Sequence, residues 1–163
     1  LQVRNPVTVE GLLQLTMGGP LYLYNGGLQV ARLRYFDSHR RRPGLPRDVA
    51  ALVEVLEEDR AVVQLVNLSA TEPREMTVQA GVFGEHRFTS ASWQQRRLLS
   101  AEEAAAGQAH EAQFREVVQG QLEERRVEVN DRRFTVGLAP GAGIRLDLGM
   151  ERFASEPSYG QPW

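Results

Sequence analysis

"AVVQLVNLSATEPREMTVQAGVFGEHRFTSASW", residues 61–93, decides the fold. Its first nine residues carry apolar side chains at odd and even positions alike, the mark of a central strand buried on both faces. Ala70-Thr71-Glu72-Pro73 is a turn. Arg74–Phe83 then reads as the next strand, antiparallel to the one before it, and His86–Trp93 as a further extended segment after Gly84. Between them Glu85 and His86 set a carboxylate beside an imidazole.

The same signals extend in both directions. "VTVEGLLQLTM", residues 7–17, reads as a strand broken by Gly18-Gly19-Pro20. "LYLY" and "LQVARLRYFD" flank Asn25-Gly26-Gly27, the residues that best tolerate the positive φ of a hairpin turn. Residues 38–47 form a loop. Val49, Leu52, Val53 and Leu56 then fall at helical spacing behind Asp48 as cap, with pairing as a strand the alternative. Ser100-Ala101-Glu102-Glu103 resembles a capping box opening an Ala- and Glu-rich helix, so residues 94–120 form an insertion outside the core. "RRVEVN" and "RRFTVGL" flank a tight turn at Asn130-Asp131, and "PGAG" turns the chain into "IRLDLGM". The tail, residues 152–163, is extended and ends in Trp163. The pattern predicts one mainly β domain over 1–163: an antiparallel β-sandwich of about eight or nine strands with one or two short peripheral helices.

Composition narrows the function. At 163 residues, 42% hydrophobic and 25% charged, the chain has the make-up of an ordinary globular domain. No run reaches the roughly eighteen apolar residues of a membrane span, and no signal peptide opens the chain. The chain starts at Leu1, which suggests a piece of a longer protein and leaves its compartment open. Cysteine and lysine are both absent, which excludes disulfides, thiolate metal sites, thiol nucleophiles and Schiff-base lysines. The net charge is −2 with both signs interspersed, unlike the basic stripe of a nucleic-acid binder, and Arg40-Arg41-Arg42 reads as a solvated loop.

Few residues carry chemistry. In a strand, neighbours such as Glu85 and His86 point to opposite faces and cannot form a dyad, so a structural polar role is expected. His39, His86 and His110 lack the spacing of a metal motif, and neither metal nor cofactor is expected. "GLAPGAG", residues 137–143, lies between strands and reads as a turn rather than a phosphate loop. Asn67-Leu68-Ser69 fits a glycosylation sequon but sits where a strand meets a turn, and the turn reading is preferred. The candidate ligand set is Tyr22, Tyr24, Tyr35, Glu85, His86 and Trp93, the aromatics as stacking platforms for sugar rings. Core or interface packing is the competing role for these aromatics, and Trp163 is expected to dock the tail.

"AVVQLVNLS" followed by "REMTVQAG" resembles the C-terminal β-sandwich domains of multidomain bacterial glycoside hydrolases. "NPVTVEGLLQLTMGGP", "YNGGLQVARLRYFD", "RRPGLPRDVAALV" and "VQAGVFGEHRF" resemble C-terminal segments of large uncharacterised bacterial proteins, over most of the chain except 94–120. The resemblance implies a β-rich domain behind a larger one and carries over no catalytic residue. The expected function is that of a non-catalytic accessory domain that packs on a preceding domain or on a second copy of itself. A carbohydrate-binding module is the alternative. Neither nucleic acid nor membrane is an expected partner.

Overall fold

The computed structural model describes residues 9–19, 31–96 and 122–163. One helix, α1 (Val9–Met17), is followed by nine strands: β1 (Leu33–Asp37), β2 (Arg42–Pro43), β3 (Val49–Leu56), β4 (Arg60–Asn67), β5 (Arg74–Ala80), β6 (Arg87–Arg96), β7 (Leu122–Asp131), β8 (Arg133–Leu138) and β9 (Gly143–Glu151). They form two antiparallel sheets, ordered β2-β1-β5-β8 and β3-β4-β9-β6-β7. The mainly β architecture is the expected one. The core lies between the sheets, where alternation sends Leu33, Tyr35, Met76, Val78 and Val136 to meet Val63, Leu65, Phe88, Leu146 and Leu148. Phe88 and Phe134 join the sheets edge to face, their ring centroids 5.0 Å apart.

In β4 the double parity has its expected meaning. Ala61, Val63 and Leu65 enter the core, and Val62 on the other face is sealed as well. The strand lies inside its sheet, between β3 and β9. Its expected pairing with the next strand is corrected. β5 crosses to the other sheet and pairs with β1 and β8. The crossing is held by Asn67, 1% exposed, whose Nδ2 donates to the carbonyls of Glu72 (2.8 Å), Leu138 (3.3 Å) and Ala139 (3.0 Å). Its Oδ1 accepts from the Ser69 amide at 3.0 Å, so the sequon asparagine is a buried turn residue.

Two further turns also cross between sheets instead of closing hairpins. Asn130, with φ +48°, is the next-to-last residue of β7, and beyond it the Asp131 carboxylate accepts from the Arg133 amide at 3.1 Å as the chain passes to β8. "PGAG" leads from β8 in one sheet to β9 in the other. The expected strand at 7–17 is, over its described residues, the helix α1. The helix stops at Gly18, φ +68°, whose amide donates back to Gln14 O at 3.0 Å. The expected helix at 49–56 is strand β3. Val49, Ala51 and Val53 alternate onto the core, and the ladder to β4 supplies the main-chain bonds. Asp48 adopts φ +61° rather than capping a helix. The hairpin expected around Asn25-Gly26 lies outside the described residues; of the insertion expected at 94–120, residues 94–96 extend β6 and the rest lies outside the described residues.

The tail forms a third layer across the outer side of the four-stranded sheet. Trp163 packs edge to face on Phe36 at 5.8 Å, and Tyr159 does so on Phe83 at 5.2 Å. Arg133 donates to Gly160 O, and the Arg34 and Arg133 guanidiniums lie over the Phe36 ring. Phe36 and Gln79, on a face that a two-layer sandwich leaves to solvent, are fully buried.

Asn67 carries the first prediction. Asn67→Ala removes the buried amide that donates to the Glu72, Leu138 and Ala139 carbonyls, and is expected to lower unfolding stability by about 2–3 kcal/mol. Urea denaturation with an unchanged m-value is the check.

Candidate functional site

The loop from Gly81 to His86 joins β5 to β6 and changes the reading of the Glu85-His86 pair. Gly81 (φ +83°) and Gly84 (φ +66°) turn the backbone in the left-handed region. His86 therefore leaves the alternation of a strand, and its Nε2 lies 3.8 Å from Glu85 Oε1. The opposite-face expectation is corrected, because both residues precede β6. The structural role expected for them is supported by their partners. Glu85 Oε2 accepts from the Phe83 amide at 2.8 Å, and the Glu85 carbonyl accepts from Ser155 N at 3.2 Å. His86 Nδ1 accepts from the Phe153 amide at 3.1 Å, which fixes the neutral ring's proton on Nε2. Phe153 then stacks edge to face on the imidazole at 5.0 Å.

The His86 side chain is wholly buried, and its Nε2 has no hydrogen-bond partner among the described residues. Burial pushes the imidazole below its ordinary range. Glu85 opposes that shift, while the guanidiniums of Arg32 and Arg152 add to it. Arg32 is itself shifted down, by burial first and by Arg152 next. A general base must reach a substrate proton, and a ring sealed under the tail has no such access. Among the described residues no group of His, Asp and Glu is placed to hold a metal ion. No described helix is long and apolar enough to cross a membrane.

The other candidate residues separate. Tyr35 is not on a ligand-facing surface: it is 3% exposed in the core, and its hydroxyl donates to Thr16 O at 2.6 Å, tying α1 to β1. Burial raises the Tyr35 phenol well above its ordinary value. Tyr22 and Tyr24 lie outside the described residues. Trp93 is half-buried against the core and lines a surface groove. Arg40, Arg41 and Arg42 are exposed, as a solvated loop requires, and Arg42 donates to Leu45 O at 3.0 Å.

That groove, of about 1260 Å³, runs between β8 and the inner face of β6, β7 and β9. Trp93, Val127, Val129, Phe134, Val136 and Ile144 form the apolar part of its lining, and Gln94, Glu128, Asp131, Arg133 and Thr135 the polar part. The signal for it was present as period-two alternation in "VEV" and "FTVGL", but pairing these strands as a hairpin hid the gap between them. The outer face of the five-stranded sheet differs in kind. There Arg60 grips Asp147 through two bonds of 2.8 and 2.7 Å, holding that carboxyl below its usual range, and Arg145 pairs with Glu54 at 2.7 Å. A second hollow, of about 920 Å³, lies around His39, Arg47 and Arg74, with Arg74 paired to Glu72 and Asp48. Comparison with protein-family models, with curated proteins and with solved structures finds no match to the chain.

Two predictions test the loop. A Cβ at Gly81 overlaps the Glu85 carboxylate in a left-handed backbone, so Gly81→Ala is expected to destabilise by about 1–3 kcal/mol in thermal unfolding. His86 has a folded pKa below its ordinary 6.5, so the unfolded chain binds the proton first as pH falls. Its contribution is complete above about pH 6.5 and is lost on acidification toward the lower folded value. His86→Gln, which does not titrate, is expected to flatten the fall in stability between about pH 7 and pH 5. An unchanged slope in urea titrations across that range rejects this.

Proposed function

We propose that this chain is a non-catalytic accessory domain that packs on and stabilises a larger protein, of the carbohydrate-active kind its sequence resembles. The carrying observation is the groove. Charge pairs cover the outer face of one sheet and the tail covers that of the other, so β6, β7 and β8 hold a groove of mixed lining, with Val127 exposed in its wall, that neither cover reaches. Apolar area left to water at one place marks a docking surface. The buried Glu85-His86 pair supports the same reading, since it serves the fold.

A second reading, carbohydrate binding, rests on Trp93. It borders the groove together with polar residues that include Glu128 and Arg133. An aromatic beside polar groups suits a sugar ring.

The two readings separate in one pair of measurements. Expressed together with its neighbouring domain, this chain is expected to raise that domain's Tm by about 2–4 °C for each ~1 kcal/mol contributed. Val127→Glu is expected to remove the gain. A neighbour whose Tm is indifferent to this chain counts against the accessory role. Saturable binding to an oligosaccharide panel, abolished by Trp93→Ala, establishes the second reading instead.

A further inference from the structure

The sheet edges indicate what fills the groove. A free edge exposes unpaired main-chain N–H and C=O groups, and stable folds blunt it by brevity, proline, a bulge or a covering element. Among the described residues three of the four edges are blunted. β2 is two residues long and contains Pro43. β3 bulges between Val53 and Val55 and has α1 packed against it. β7 bulges against β6 only at its Asn130 end, and the rest of its edge carries the charged, exposed Glu124, Arg125 and Arg126.

β8 lacks these devices. It has six residues, no proline, and an unbroken register with β5 from Arg74↔Leu138 to Gln79↔Arg133. It ends its sheet, with no described strand on its other side. All six residues of β8 line the groove. On the opposite wall Val127 is 46% exposed although it pairs with Ala91, which is 1% exposed. A valine on the core side of its sheet, half in water, marks where the facing sheet is one strand short. The groove's 1260 Å³ also exceeds the roughly 300–1,000 Å³ of a small-molecule pocket.

We infer that β8 accepts an additional strand from a partner polypeptide, an extended segment apolar at alternate positions. Its main chain pairs with the free edge of β8, and its apolar side chains cover Trp93, Val127 and Val129. Main-chain pairing supplies affinity, and the alternating contacts supply specificity. The inference rests on the accessory reading and names the kind of segment that docks.

The test titrates the whole chain with a short synthetic peptide alternating valine with threonine and arginine. Saturable binding is expected, weakened roughly tenfold or more by scrambling the peptide, by N-methylating its alternate amides, or by Val127→Glu. Val127 is half exposed, so that variant leaves the core in place; Thr135→Pro, which removes a main-chain donor from β8, is the second variant, with circular dichroism confirming the fold. Equal affinity for the N-methylated peptide overturns strand pairing while leaving an apolar docking surface. No binding by a folded chain overturns the inference, and the Tm measurement on the neighbouring domain then judges the accessory role separately. Self-association that the peptide does not compete away, lost in Thr135→Pro, makes a second copy the occupant and also overturns it.

Discussion

One buried amide governs how this sandwich is closed. Asn67 ends β4, and its Nδ2 reaches carbonyls at both the departure to the second sheet and the return from it. Around it the Asn67 amide donates to Ala142 O at 2.9 Å and Gly141 N donates to Ser69 O at 2.8 Å. Without those bonds both connections bury unpaired polar groups at the sheet boundary, a cost that core burial has to offset. The sheets are thus tied at one end by polar bonds and along their length by apolar packing.

At the opposite end the loop of Glu85 and His86 performs a similar service for the tail. The Phe83 and Glu85 carbonyls and the His86 Nδ1 accept from the amides of Ser158, Ser155 and Phe153. The tail then runs over Phe36 and Gln79 as a layer without ladder hydrogen bonds. The adjacent carboxylate and imidazole, which resemble a catalytic pair in sequence, hold this layer in place.

Much of the fold was legible in local pattern, and what was not has a common cause. The double parity of residues 61–67 and the alternation at 133–138 identified buried and half-buried strands correctly. Turn residues such as Asn130 state that the chain reverses, but not whether it returns in the same sheet or the facing one. That choice depends on contacts far apart in sequence, such as Phe88 with Phe134. Val49, Leu52, Val53 and Leu56 fit both helical and strand periods, and only the ladder to β4 decides between them. Of the candidate site, Tyr35 was misplaced because burial of an aromatic depends on the whole fold; Trp93 fell beside the groove for the same reason. The groove itself arises from a mismatch between sheets, which no single segment displays.

The three-layer arrangement sets an order of events during synthesis. Phe36 leaves the ribosome well before Trp163, which packs on its ring. The pairing of β4 with β9 and of β5 with β8 must likewise await segments made much later. A nascent chain therefore carries an aromatic ring and unfinished strand edges in water until residue 163 is free, the interval in which sheets are most prone to mispair. Maturation of this domain is a late event, timed by its final residues.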